Sequence, residues 1–327
     1  MAMPGWTQTA SPFHAGELAI QARLGIQERM DKQGRRVIRD FLPDQYRQFF
    51  AQLSYVIVGT VDPAGNPWAS ILVGDAGFLS SPDDRTLQVM ATPLVGDPLT
   101  TTLIDGIDIG LLGIELHTRR RNRMNGIVTA IHPHGFEVQV QQCFGNCPQY
   151  IQARSSELNG FDPSAPKPVY PVDAWGEPEQ AILTAADTFF IATAYQDLAA
   201  GTASGVDVSH RGGQPGFVRL DDNQTLTIPD FSGNCHFNTF GNLEVNPRAG
   251  LLFIDFEQGS LLYLTGSAEV IWDGVDIANY EGAVRLLRFH LDHGYRVAGS
   301  LPLCWSDPDF SPFLAGPSAP NQSHPGS

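Results

Sequence analysis

The chain has 327 residues, of which 20 are basic and 35 acidic, for a net charge of −15, and 42% of its residues are hydrophobic. That balance argues against nucleic acid and anionic membrane surfaces as partners, since both require a positive face. The apolar fraction excludes a disordered chain, and 33 glycines with 24 prolines exclude a plain helical bundle.

Residues 1–54 read as a helical segment. Residues 17–36 are rich in helix formers, and after Pro43 the residues Tyr46, Phe49, Phe50 and Leu53 recur at helical spacing on one face. The period then changes. Strands are predicted over 55–61 and 68–73, joined by the turn Asp62-Pro63-Ala64-Gly65, and further strands over 86–91, 107–114, 126–131 and 136–141, with a short helix over 98–104. Prolines at 163, 166, 168, 171 and 178 mark 159–180 as a linker. The same order then returns, with strands over 187–194, 216–220 and 226–228, a helical piece over 236–243, and strands over 249–256 and 261–272. Val284, Leu287 and Leu291 predict a last helix over 280–293, and the Pro-, Ser- and Gly-rich residues 307–327 a disordered tail.

An internal repeat underlies this order. Tyr55-Val-Ile-Val-Gly-Thr parallels Thr188-Phe-Phe-Ile-Ala-Thr, and Asp108-Ile-Gly-Leu-Leu-Gly parallels Ala249-Gly-Leu-Leu-Phe-Ile. Short strands and turns in two similar runs predict two antiparallel barrels, over 55–158 and 181–306, whose shared face would carry a ligand site.

Several chemistries lose their support. Dinucleotide-binding, P-loop, zinc-protease and hydrolase-elbow motifs are all missing. The two lysines, Lys32 and Lys167, lie in polar or Pro-rich sequence unsuited to a Schiff base. Cys143, Cys147, Cys235 and Cys304 are too few for a disulfide framework, and neither the Cys143/Cys147 pair nor His290/His293 makes a convincing metal site. No stretch reaches the roughly 18–20 apolar residues of a membrane span, and no signal peptide is visible, so a cytoplasmic protein is expected. The basic run 119–123 lacks interleaved aromatics and reads as a solvated edge or an anion site between domains.

Two polar segments remain. Ser209, His210 and Arg211, followed by Gly212 and Gly213, read as a loop that could hold an anion with backbone N–H groups and a guanidinium, or as a plain hairpin loop. In the second, Ser232 and Asn234 could cap a helix that carries Asn238 and Thr239 in its first turns, where phosphate collects.

Taken together, Ser209-His-Arg-Gly-Gly-Gln-Pro-Gly-Phe-Val-Arg219, Ile228-Pro-Asp-Phe-Ser-Gly-Asn234, Phe237-Asn-Thr-Phe-Gly-Asn-Leu243 and Asn246-Pro-Arg-Ala-Gly-Leu-Leu-Phe253 resemble the pyridoxamine 5′-phosphate oxidase-like flavoproteins. Phe13-His-Ala-Gly-Glu17, residues 119–126 and Cys143-Phe-Gly-Asn-Cys-Pro-Gln-Tyr150 extend the resemblance to the two-barrel branch. The resemblance implies a mainly β fold with flanking helices, in which two split antiparallel β-barrels hold FMN at their interface. It implies cofactor-binding roles for Ser209, His210, Arg211, Arg219, Ser232, Asn238 and Thr239, with Pro229, Asp230 and Phe231 alongside the isoalloxazine. The phosphate-binding lysine of the true oxidases has no counterpart here, so activity on pyridoxamine phosphate is not expected.

The implied function is an FMN-dependent oxidoreductase that acts on a small molecule or takes electrons from a nicotinamide donor. A flavin carrier without a substrate pocket, or a barrel for haem or another anion, is the alternative. His210 and His236 are the nearest candidates for proton transfer. The expected partners are a small substrate or a redox protein, and paired barrels are compatible with a homodimer. Some relatives of this branch carry a fused ferredoxin-reductase module, to which the C-terminal segment would suit a junction.

Overall fold

The computed structural model describes residues 5–160, 165–197, 201 and 203–314. Three helices open it: α1 (Ala15–Arg23), α2 (Gln27–Val37) and α3 (Asp44–Ala51). Where helix-forming composition predicts one run over 17–36, Gly25 breaks it in two by taking a positive φ of 67°. Phe49, Phe50 and Leu53, on the predicted face of α3, are buried.

The first barrel comprises β1 (Tyr55–Val61), β2 (Pro67–Val73), β3 (Leu79–Ser80), β4 (Thr86–Val89), a single helical turn α4 (Leu99–Thr102), β5 (Asp108–Glu115), β6 (Arg120–His132) and β7 (Gly135–Gly145). The connecting segment carries β8 (Ser156–Leu158), β9 (Val169–Val172) and α5 (Glu177–Ala185). The second barrel comprises β10 (Thr188–Tyr195), β11 (Gly205–Gly212), β12 (Arg219–Leu220), β13 (Thr225–Phe231), α6 (Asn238–Val245), β14 (Arg248–Ile254), β15 (Leu261–Ile271) and β16 (Ala283–Val297), and β17 (Leu303–Trp305) follows.

The two sheets have the same strand order. The first runs β2-β1-β5-β6-β7-β4-β3 and the second β11-β10-β14-β15-β16-β13-β12, all antiparallel. The end strands of neither sheet pair with each other, so each barrel is split. The registers coincide as well. Ile57, Val58 and Gly59 oppose Leu112, Leu111 and Gly110, as Phe190, Ile191 and Ala192 oppose Leu252, Leu251 and Gly250. A β-bulge falls at Asn125/Gly126 in β6 and at the matching Thr265/Gly266 in β15. The repeat of Tyr55 onto Thr188 is therefore in register. The second repeat is one residue out: Gly110 occupies the place of Gly250, so Asp108 corresponds to Arg248 rather than to Ala249.

Each barrel encloses its own apolar core. A third cluster lies between them, where Ile57, Ala69, Ile71 and Leu112 of the first barrel pack with Phe190, Val208, Leu252 and Tyr263 of the second. The barrels approach to backbone contact at two equivalent glycines. A Cβ on Gly110 would stand 2.5 Å from the Val206 carbonyl oxygen, and one on Gly250 would stand 2.3 Å from that of Pro67.

Four expectations are corrected. The helix predicted over 280–293 is strand β16, in which buried Leu287, Phe289 and Leu291 alternate with the more exposed Arg288, His290 and Asp292, while Val284 is exposed. The residues Ser209–Gly212 lie in strand β11, not in a loop. The linker over 159–180 contains β9, which pairs with β16, and the start of α5. Within the predicted tail, Asp309 bridges Ala153 and Ser311 is buried, its N–H donating to Gln152 at 2.8 Å; residues 315–327 lie outside the described residues. Among the described residues no helix is long and apolar enough to cross a membrane.

Candidate functional site

A cleft opens where β6 and the segment after β7 meet β11, β13 and the start of α6. Nine of the ten residues singled out above line it: Ser209, His210, Arg211, Pro229, Asp230, Phe231, Ser232, Asn238 and Thr239. Arg219 does not join them. It sits in β12, paired with Asp221 at 2.5 Å and lying over the Tyr280 ring. His236 is buried against Phe13 and Phe144 and is not part of the lining.

Strand alternation sorts the side chains of β11. Asp207, Ser209 and Arg211 face α6. Arg123 reaches in from β6 to bond Asp207 at 2.8 Å and donates a further bond to the Ser209 hydroxyl. Thr239 donates to the same hydroxyl at 3.1 Å, which ties the first turn of α6 to the strand. Asn242 secures the helix from beneath, donating to Asp207 at 2.9 Å and to Thr193 at 3.0 Å.

The start of α6 differs from expectation. Its N-cap is Phe237, in the left-handed region at φ 66°, with no side-chain cap; Asn234 instead accepts from the His236 N–H at 3.1 Å. The first N–H groups of the helix thus have no side-chain acceptor, the arrangement that collects anions. The helix is held in place by α1, where Gly16 and Gly241 pack so closely that a Cβ on Gly16 would fall 2.0 Å from the Gly241 carbonyl oxygen. Glu17 accepts from Asn238 at 2.6 Å and from the His14 N–H at 2.9 Å. Burial, reinforced by Asp207, raises its carboxyl well above the usual range.

Four guanidiniums line the cleft, from Arg121, Arg123, Arg211 and Arg285, against one lining carboxylate, Asp230, with Asp207 behind the lining. Arg123 is matched by Asp207. Arg211 and Arg285 share Asp230, at 3.1 and 2.9 Å, and burial holds that carboxyl above its ordinary range despite both cations. Arg121 has no carboxylate partner among the described residues; its Nε donates to the Cys147 carbonyl at 2.8 Å. Burial, with Arg211 and Arg123 nearby, lowers its pKa to about 10, so it remains charged at neutral pH. The cleft therefore carries excess positive charge within an acidic protein.

Its other wall is aromatic. Tyr150 lies against Phe231 with ring centres 5.2 Å apart, and its hydroxyl donates to the Ser232 carbonyl at 2.9 Å. An apolar, flat-sided wall beside a cationic, hydroxyl-bearing end fits a planar ring system with a phosphate tail. Among the described residues no group of His, Cys, Asp and Glu is placed to hold a metal ion.

The internal repeat predicts a second cleft, related by exchanging the barrels, and that position is filled. Tyr263 in β15 occupies the place of Arg123, Ser70 in β2 that of Ser209, and Leu72 that of Arg211. The Tyr263 hydroxyl donates to Asp97 at 3.0 Å, and Ser70 donates to the same carboxyl at 2.6 Å. Burial raises the pKa of Asp97 to about 6. Trp68 and Tyr295, in the same apolar cluster as Tyr263, stack with ring centres 5.9 Å apart.

Arg121, Arg123, Asn146, Tyr150 and Arg285 were not singled out one by one from the sequence. The basic run 119–123 is the signal for the first two, with an anion site between domains as one of its readings. Arg285 was hidden by reading its strand as a helix, and a period of two over residues 287–292 is the signal that recovers it.

No family model matches the sequence, and no curated protein matches it. Solved structures similar to it include a putative pyridoxamine 5′-phosphate oxidase from Lactobacillus delbrueckii, 13% identical, covering 38% of this chain and 94% of its own, with a TM-score of 0.30. A FAD-binding protein from Mesorhizobium loti is 16% identical and covers 40% of this chain and 98% of its own, with a TM-score of 0.27. The haem storage protein HutZ from Vibrio cholerae is 18% identical and covers 37% of this chain and 94% of its own, with a TM-score of 0.26.

Proposed function

We propose that the cleft binds FMN and that the protein is an FMN-dependent oxidoreductase. The observation that carries this reading is the convergence of the Ser209 and Thr239 hydroxyls, the uncapped start of α6, and the guanidiniums of Arg211 and Arg285 at one end of a cleft whose other wall is Tyr150 and Phe231. A phosphate dianion needs several donors and net positive charge. Here Asp230 neutralises only one of its two arginines, which leaves the other to meet the phosphate.

Bound FMN would supply the hydride and electron chemistry. The chain supplies the rest. Ser209, Thr239 and Arg211 anchor the tail, while Pro229 and Phe231 with Tyr150 shield one side of the ring from water. The carbonyl-rich edge of the ring would meet the arginine side of the cleft, where positive charge favours the reduced, anionic state. The sequence resemblance described above supports the same reading.

The experiment is the visible spectrum of the purified protein, followed by titration with FMN. Yellow protein, or saturable quenching of flavin fluorescence, is the expected result. Protein that stays colourless and leaves FMN fluorescence unchanged overturns the proposal. Reduction of the bound flavin by NADH or NADPH, followed by a screen of small-molecule acceptors, then separates an enzyme from a carrier.

A further inference from the structure

We propose that Arg121, His210 and Asn146 form a second subsite in the cleft, made of donors only, that holds the oxyanion of a small substrate, carboxylate or phosphate. That it lies beside a cofactor rests on the flavin reading; the subsite itself does not.

His210 anchors the set. It points to the opposite face of β11 from Ser209 and Arg211, opposite Phe190 in the neighbouring strand. The Arg121 Nη1 lies 3.2 Å from its Nδ1. A guanidinium can only donate, so Nδ1 accepts and the ring proton sits on Nε2. Burial, Arg121 and Arg211 hold the pKa of His210 well below 6.5, which keeps the ring neutral. Its Nε2–H is therefore a donor. The residue is 4% exposed, and that nitrogen has no partner among the described residues.

Asn146, from the segment after β7, repeats the pattern. Its Oδ1 accepts from Asn234 at 3.4 Å, which leaves Nδ2 as a buried donor without an acceptor. Arg121 completes the set. Its Nε is committed to the Cys147 carbonyl, and no carboxylate among the described residues balances its charge. Buried donors without acceptors, gathered round a half-buried cation without a counter-ion, are costly unless a ligand completes them. The unsatisfied atoms are N–H donors, His210 Nε2 and Asn146 Nδ2, and the oxygens that meet Arg121 are neutral carbonyls, those of Cys147 at 2.8 Å and His210 at 3.5 Å, so the missing partner is an oxyanion rather than a sugar or an amine. Arg211 and Ser209 serve the other face of the strand, so one anion would not satisfy both ends.

The test follows the histidine side chains by long-range ¹H–¹⁵N NMR, with the His210 signal assigned from a His210→Gln variant. Potassium acetate and potassium phosphate are titrated separately into protein with and without FMN. The expected result is an Nε2-protonated, neutral His210 whose signals move saturably with at least one anion. The better probe of the two indicates the substrate's anionic group. Arg121→Gln should weaken that response at least tenfold and weaken FMN binding less than Arg211→Ala does. Asn146→Ala, in a loop, should weaken it at least threefold and guards against a folding defect in the arginine variant.

The proposal is overturned if His210 is protonated on Nδ1, if neither anion moves its signals, or if Arg121→Gln responds like the wild type. It is also overturned if Arg121→Gln loses FMN as an Arg211 variant does, which would place Arg121 in the phosphate cradle. A saturable His210 response in protein that does not bind FMN sustains the subsite while the flavin reading fails, so the two failures are distinguishable.

Discussion

Replacing Arg211 by alanine tests the phosphate cradle directly. The guanidinium lies 3.1 Å from Asp230 and 4.9 Å from the centre of the Phe240 ring, with its side chain 26% exposed. A hydrogen bond to a charged group contributes about 1.5–3 kcal/mol. Partial solvation puts this one in the lower part of that range, about 1.5–2 kcal/mol, or about a 10- to 30-fold rise in the FMN dissociation constant at about 1.4 kcal/mol per decade. The fold should tolerate the change, because Arg285 remains to pair with Asp230 at 2.9 Å. Fluorescence quenching of FMN measures the affinity, and thermal unfolding of the FMN-free protein measures the fold. Asp230→Asn is the companion of opposite sign: it removes the carboxylate that competes with the phosphate, so FMN should bind equally well or more tightly. An unchanged dissociation constant in Arg211→Ala, or a loss in Asp230→Asn as large as in Arg211→Ala with both proteins folded, would refute the assignment of the phosphate to this end of the cleft.

The remaining predictions address the barrels and the buried histidines. FMN titration should saturate at one per chain, since Tyr263, Asp97 and Ser70 fill the position related by the repeat; saturation at two would show that the mate site opens. Gly250→Ala places a methyl 2.3 Å from the Pro67 carbonyl and should destabilise the barrel contact by about 1–3 kcal/mol in denaturant unfolding; wild-type stability would mean the barrels are free to separate. His236 is pushed down to about 4 by burial and by Arg123, below the 6.5 of an unfolded histidine. The unfolded chain therefore binds the proton first, and the stabilisation, complete above about pH 6.5, is lost as the pH falls toward 4, by about 3 kcal/mol. His236→Gln should flatten the stability–pH profile in that window, and a slope equal to the wild type's would remove His236 as its source. Asp97, raised to about 6, acts in the opposite direction, losing stability as the pH rises from about 4 to 6, so Asp97→Asn should steepen the net acid loss in the same experiment.

The helical face of Phe49 and Phe50, the hairpin round Asp62–Gly65 and the repeat of β1 in β10 were all legible in the sequence. Each depends on contacts a few residues apart or on a direct copy, and local pattern records both. The segments round Ser209 and Phe237 were also recognisable, because their residue types are those an anion needs.

The rest was decided between elements distant in the chain. Val284, Leu287 and Leu291 fit a helix stripe while Leu287, Phe289 and Leu291 fit a strand face, and the ladder between β15 and β13 made the segment a strand. The charge of Arg121 and the proton position on His210 follow from a contact across 89 residues, between barrels that local sequence does not bring together. Sequence by itself determined two similar β-barrels and two segments suited to an anion. Only the tertiary structure decided that one of the two related clefts is open and the other filled. In the open cleft Arg123 bonds Ser209 of the opposite barrel, in the filled one Tyr263 and Ser70 share Asp97, and neither meeting exists until the glycine-lined faces have packed.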